Sequence, residues 1–345
     1  MDFKPKCLAT GIGSLPHRDI GAALGLILEA LTQIPFWPQL PKLNPRESMV
    51  AQFVEGLPLL KFKDKDVIFD VSVDRDEALA KFYERIIATD FNYFAISLDY
   101  AAGLEAFLDK LKIYQPKNIE FLKGQITGPF SFAASIKLPD GKTLLSDAIL
   151  MDAVVNGLGM KAAWQIKKLK TYKSKVILFL DEPYLGCFGS GYTPITREEV
   201  IKRLNDIIEP LKEEGVLLGI HCCGNTDWSM LAETKADIIS FDAFGFLDRV
   251  ILYAQDLNKF LSRGGILAWG IVPTSEFKGQ GQQELVQRFQ QGLEALVKKG
   301  IPQKLILERS LITPSCGMAT LSQGTAEEIL RLTARVSGAL RKEYF

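Results

Sequence analysis

The chain has 345 residues, 47% of them apolar and 24% charged, enough for a sizeable core under an ordinary hydrated surface. Its 41 basic side chains balance 41 acidic ones, so charge supplies no attraction for nucleic acid or an anionic membrane. Disorder, collagen-like repeats and coiled coil are excluded by the same figures.

At about 150 residues per domain the length allows two domains, but a single α/β barrel with insertions also reaches it. No apolar run attains the roughly 18 residues of a bilayer span. The opening MDFKPKCLATGIG has no apolar stretch ahead of a small-residue cleavage site. The five cysteines are an odd, sparse set, unlike a disulfide scaffold. A cytoplasmic protein is therefore expected, with functional cysteines acting as metal ligands or nucleophiles. Only two histidines, His17 and His221, are available to share that work.

In chain order, a short apolar strand at Leu8 to Ile12 runs into the glycine-rich turn Gly11-Ile-Gly13-Ser-Leu-Pro16. A dinucleotide fingerprint would need a third glycine where Pro16 stands, and that reading fails. Residues 35–74 contain five prolines and break the later rhythm, so they predict an inserted segment or hairpin covering one barrel end. Thereafter apolar runs at Ile119 to Ile126, Lys175 to Leu180, Val216 to Cys222, Ala236 to Phe241, Gly265 to Ile271 and Lys304 to Leu311 read as strands. Between them, Ser146 to Tyr172, Thr196 to Glu214 and Gln282 to Lys299 carry helical spacing. Thr196 and Thr325, each followed by acids in the first turn, read as helix caps. Alternation of this kind predicts a parallel sheet, here closed into a single α/β domain of the (β/α)8 TIM-barrel type spanning residues 1–345.

The chemistry concentrates at Gly219-Ile-His-Cys-Cys-Gly224, the end of an apolar strand. Side chains alternate along a strand, so His221 and Cys223 share a face while Cys222 points away. Active sites of such barrels form at the C-terminal ends of the strands. Asp242 ends the next strand and Cys316 follows the last one. His221, Cys223, Asp242 and Cys316 thus form an N, S, O, S set suited to one tetrahedral zinc ion per chain. The bland alternative is that the cysteines are small buried hydrophobes and His221 a core histidine. Asp242 has its own alternative, as a cap for the following helix.

Together, Thr10-Gly-Ile-Gly-Ser-Leu-Pro16, Leu122 to Pro129 (LKGQITGP), Leu180-Asp-Glu-Pro183, His221-Cys-Cys223, Asp237 to Asp242 and Pro314-Ser-Cys-Gly317 resemble the C-terminal catalytic barrel of the cobalamin-independent methionine synthase family. That family belongs to the superfamily of the uroporphyrinogen decarboxylases. The resemblance implies zinc ligands at His221, Cys223 and Cys316, with the family's glutamate ligand falling on the shorter Asp242. It implies that the Ile12-Gly13-Ser14 turn takes the carboxylate of L-homocysteine and that Asp181 takes its ammonium. Glu182 is either a catalytic partner orienting Asp181 or a partner for a buried cation.

The departures from the family are also informative. Full-length members carry an N-terminal barrel that shares in folate binding, and this chain has no counterpart to it. The family's pterin-stacking tryptophan falls on Ser135, and a glutamate after the DEP motif falls on Cys187. Its proton-donating histidine falls near Thr274 or Ser275. The resemblance so amended implies methylation of homocysteine to methionine from a methylcorrinoid, that is, methylcobalamin carried by a separate corrinoid protein. Such a donor leaves as Co(I), which needs no proton. Two further expectations concern His17, as a contact to the donor or the substrate carboxylate or else a helix-start cap, and Trp228 with Trp269, on the donor side or in the core. Competing functions are transfer to another thiol such as coenzyme M, a porphyrin-type decarboxylase, and a non-catalytic zinc protein.

Overall fold

A computed structural model of the chain describes residues 2–172, 174–190 and 195–345. Strand β1 (Leu8–Ala9) and helix α1 (Ile20–Ala30) precede an antiparallel hairpin of β2 (Leu60–Lys63) and β3 (Asp66–Phe69). Two helices follow, α2 (Arg75–Ile87) and α3 (Ala102–Tyr114). The repeat then begins: β4 (Phe121–Thr127), α4 (Pro129–Ala134), α5 (Ala148–Lys170), β5 (Lys175–Asp181), α6 (Arg197–Lys212) and β6 (Leu217–Cys222). It continues through α7 (Trp228–Glu233), β7 (Ile238–Phe241), α8 (Leu247–Val250), α9 (Ala254–Ser262) and β8 (Ile266–Val272). It ends with α10 (Gln282–Lys298), α11 (Gln303–Glu308), β9 (Ser310–Pro314) and α12 (Gln323–Tyr344).

Seven strands form one parallel sheet in the order β1-β9-β8-β7-β6-β5-β4. Its two edges are joined by the chain at 33–39. Parallel bridges connect Ser14 to Gln39 on one side and Phe36 to Lys123 on the other. Lys123 N–H donates to Pro35 O at 2.9 Å, and Leu15 N–H to Gln39 O at 2.9 Å. This segment occupies the eighth position in the wall of an α/β, (β/α)8 TIM barrel. The start of the stretch read as an insertion is thus part of the barrel. Pro35 and Pro38 concealed it, because residues without an N–H interrupt the ladder and the strand pattern. The rest of the stretch supplies the loop over the mouth and the β2–β3 hairpin.

Side-chain alternation divides the core into two. Leu8, Ile12, Phe121, Ile177, Phe179, Leu217, Ile238, Ile266 and Leu311 pack inside the barrel with Phe3. The intervening residues, such as Leu178, Leu180, Leu218, Ile220 and Cys222, pack outward against the helices. The inward position 219 is a glycine, and a Cβ there would meet the Phe179 ring at 2.5 Å. Asp181, His221, Ser240 and Thr127 continue the inward rows upward and are adjacent in register.

Two element predictions differ from the structure. Lys304 to Leu311 is mostly the short helix α11, and the strand begins only at Ser310. A short apolar run does not by itself distinguish a buried strand from a helical turn. Helix α12 starts one turn before Thr325, because Ser322 Oγ accepts the Thr325 N–H at 3.1 Å. Thr196 does cap α6, accepting from Glu199 N–H at 3.2 Å. Among the described residues no helix is long and apolar enough to cross a membrane.

Candidate metal centre

The ligating atoms of His221, Cys223 and Cys316 all lie within 4.8 Å of one another at the C-terminal end of the barrel. Each arrives there by a local rule. Inward alternation on β6 places His221 and then Cys223 over the barrel axis, while Cys222 is fully buried against the helices. The loop after β9 brings Cys316 across. Its neighbour Gly317 is packed so closely that an added Cβ would lie 2.3 Å from Ser14 Oγ. The β5 and β6 loops also meet at glycines: a Cβ on Gly224 would stand 2.8 Å from Gly186 Cα.

His221 Nδ1 lies 2.9 Å from Ser240 Oγ. With that hydroxyl accepting from Nδ1–H, the Nε2 lone pair is left for a metal, and Nε2 is buried without a partner. Cys223 is held far below the usual thiol range, chiefly by the Cys316 S–H it accepts and then by His221. Cys316 is correspondingly pushed up by that bond and by burial. One imidazole nitrogen facing two cysteine sulfurs fits Zn2+.

Three protein donors leave a fourth position. Asp242 is not in the cluster: its Oδ1 accepts from Gly245 N–H at 2.7 Å and closes the turn after β7. It does not cap the following helix either, since Phe246 is the N-cap of α8 and no side chain caps it. The Ser240→Ala variant should weaken zinc binding about 10- to 100-fold, as loss of an outer-shell partner typically does. Competition against a zinc chelator measures this directly.

A cavity of about 350 Å3 opens over the cluster, lined also by Asp181, Ile12, Ser14, Gln39, Glu47 and Met49. Asp181 Oδ1 is buried there without a hydrogen-bond partner. Burial pushes the Asp181 carboxyl up to about 6, against the opposing charges of Lys123 and His221. Gln39 was not legible as a site residue. Its Nε2 donates to Gln52 Oε1 at 2.7 Å, and Gln52 Nε2 donates to Tyr100 O at 2.7 Å. That relay leaves Gln39 Oε1 as an acceptor on the cavity wall. Glu47 is also buried, where it accepts from the N–H groups of Leu40 at 2.8 Å and Ala102 at 3.1 Å and pins the loop above the site.

Other sequence candidates lie elsewhere. Glu182 faces away from the cavity and accepts from Phe130 N–H (2.9 Å), Ser131 N–H (2.8 Å) and Ser131 Oγ–H (2.7 Å), anchoring the start of α4. Burial pushes its carboxyl up to about 7, with those donors opposing the rise. It is a structural anchor because outward alternation at β5 carries position 182 away from Asp181. His17 is buried against α12, with Nε2 3.6 Å from Glu327 Oε1, and does not line the cavity. Asp19, not His17, caps α1. Trp228 and Trp269 are core residues joined through Phe241, at centroid distances of 5.8 and 5.4 Å.

Ser135 and the hairpin border a separate cleft of about 550 Å3, where no ligating cluster occurs among the described residues. Thr274 Oγ1 sits 3.1 Å from Ser315 Oγ, beside the loop that carries Cys316. Cys187 is exposed, and Ser275 lies at the barrel surface beyond Thr274.

No protein-family model matches the chain, and no curated protein matches it. Among solved structures it is similar to the tandem GH20 catalytic modules of the pneumococcal exo-β-D-N-acetylglucosaminidase StrH. The TM-score is 0.45 at 12% identity, covering 96% of this chain and 85% of that one. That likeness carries no argument about chemistry.

Proposed function

We propose that this chain is a zinc-dependent methyltransferase that converts homocysteine to methionine, taking the methyl group from a methylcorrinoid carried by another protein. One observation carries the reading. A His, Cys, Cys cluster and the Asp181 carboxylate, one oxygen of which has no partner, line the same small cavity. The motif resemblance to the methionine synthase barrel supports it.

His221, Cys223 and Cys316 would hold the ion, with Ser240 fixing the imidazole. Zinc, when bound, deprotonates a thiol and keeps the sulfur nucleophilic. Asp181 takes the substrate ammonium, with Gln39 Oε1 on the same wall, and the Ile12-Gly13-Ser14 turn takes the carboxylate. Together they aim the sulfur at the mouth. There the sulfur forms a bond to the methyl carbon as the cobalt–carbon bond breaks. Both electrons stay on cobalt as Co(I), and the thiol proton has already passed to solvent.

The cavity is at the small end for ligand sites, with room for a small amino acid and not for a corrin macrocycle. The donor must therefore present its methyl group from outside, as a partner protein would. Thr274, hydrogen-bonded to Ser315, is no substitute for an imidazole proton donor, which a folate leaving group would need. An acceptor such as coenzyme M has no ammonium and would leave Asp181 unpaired. A closed structural zinc site would use four protein ligands, and among the described residues three converge here.

The test is an assay of purified, zinc-quantified protein with homocysteine, comparing methylcobalamin with methyl-folate. Methionine should form faster from methylcobalamin. A higher rate from the folate overturns the donor assignment. No methionine from either, with zinc present, overturns the homocysteine reading.

A further inference from the structure

One buried charge has no role in the chemistry above. Lys123, in the middle of β4, is fully buried inside the barrel. Its Nζ donates to Ile12 O and, at 3.3 Å, to Gln125 Oε1, and lies 4.6 Å from the centroid of the Phe179 ring. An ammonium in such surroundings is costly unless something compensates it. Among the described residues no carboxylate comes within ion-pair distance; Asp181, further off, is the acid whose charge it feels.

The placement of Lys123 orients a peptide. The Ile12–Gly13 peptide bond is trans, so its carbonyl and its N–H point in opposite directions. Lys123 lies below the site and holds the Ile12 carbonyl down into the barrel. The N–H of the same unit, on Gly13, therefore points away from Lys123, and Ile12 and Ser14 on either side of Gly13 line the cavity. Among the described residues no protein acceptor takes the Gly13 or Ser14 N–H. Gly13 itself has no room for a side chain, since a Cβ would meet Gln125 at 2.8 Å and Gln39 at 3.0 Å.

We infer that Lys123 is a positioning residue for the substrate carboxylate, fixing the Ile12–Gly13 peptide as a donor and placing a positive charge beneath it. Carboxylate recognition then uses backbone N–H groups backed by a buried cation, without a cation at the surface of the cavity. The inference rests on the amino-acid reading of the site and adds the group that makes the site select a carboxylate.

The experiment uses cobalt(II)-substituted protein, whose thiolate-to-metal absorption reports thiol binding without turnover. Homocysteine is compared with 3-mercaptopropylamine, which has the same thiol and ammonium but no carboxylate. Lys123→Met should weaken homocysteine binding about 10- to 100-fold, the cost of losing a hydrogen bond to a charged group. Binding of 3-mercaptopropylamine should weaken far less, because the variant removes a positive charge that repels its ammonium while also removing one that helps keep Asp181 ionised. Equal weakening of both thiols, or of neither, overturns the role of Lys123. Should the variant not fold, the wild type decides: homocysteine must bind about tenfold or more tighter than 3-mercaptopropylamine, and equal affinities overturn the inference. Failure of wild-type protein to bind either thiol is a different result, which removes the amino-acid reading itself.

Discussion

Replacing Cys223 by serine is expected to remove zinc, from about one ion per chain to near none, and to abolish methyl transfer. The loss should exceed the roughly 10- to 100-fold typical of outer-shell partners, because a ligand is removed and not merely an orienting group. Cys316→Ser should behave alike, since its sulfur belongs to the same cluster. The informative control is Cys222→Ala. Cys222 adjoins Cys223 but points into the shell between sheet and helices, fully buried. Its truncation should lower stability by about 1 kcal/mol, as an average core substitution does, and leave zinc content unchanged. Metal analysis beside a thermal melt reads both outcomes. Equal zinc loss from Cys222→Ala and Cys223→Ser would mean that strand alternation does not build the centre.

Asp181→Asn should lower kcat/KM for homocysteine by about 100- to 1000-fold while leaving zinc content untouched. The size follows from the roughly 2–5 kcal/mol lost when one partner of a buried charged pair is truncated. Asparagine keeps the shape and one acceptor but presents a neutral group to the ammonium. The wild-type carboxylate has an oxygen with no protein partner, so a ligand cation is its natural complement. Transfer to a sulfonate thiol would respond differently, because no ammonium is lost; activity with coenzyme M should not fall. Steady-state kinetics on both thiols therefore separates the two acceptor classes. A variant with undiminished homocysteine activity would remove Asp181 from substrate binding.

Alternation made much of the centre readable before any fold was known. In Gly219-Ile-His-Cys-Cys-Gly224, the period of two alone separates Cys223 from Cys222 and joins it to His221. The same logic was available in Leu122 to Pro129, where Lys123, Gln125 and Thr127 are polar at alternate positions of an otherwise apolar strand. All three face the barrel interior, and that pattern announces a polar interior row beneath a site. Gln39 gave no such signal. It lies in a proline-broken segment whose membership in the barrel wall depends on long-range bridges to Ser14 and Lys123. Asp242 and Glu182 show the opposite limit. A carboxylate at a strand end can ligate, catalyse or cap, and only the positions of Gly245, Phe130 and Ser131 decide among these. His17 was misplaced for a related reason, since the turn after Ser14 directs it to α12 and sequence spacing does not show that direction.

The central claim is that one imidazole nitrogen and two cysteine sulfurs hold a zinc ion with a position left for the substrate's sulfur. Zinc K-edge X-ray absorption on the purified protein, with and without homocysteine, examines it most directly. The expected spectrum shows two sulfur neighbours alongside lighter atoms, and a third sulfur once homocysteine is added. A sulfur count that does not change with homocysteine, or zinc surrounded only by nitrogen and oxygen, would contradict the account.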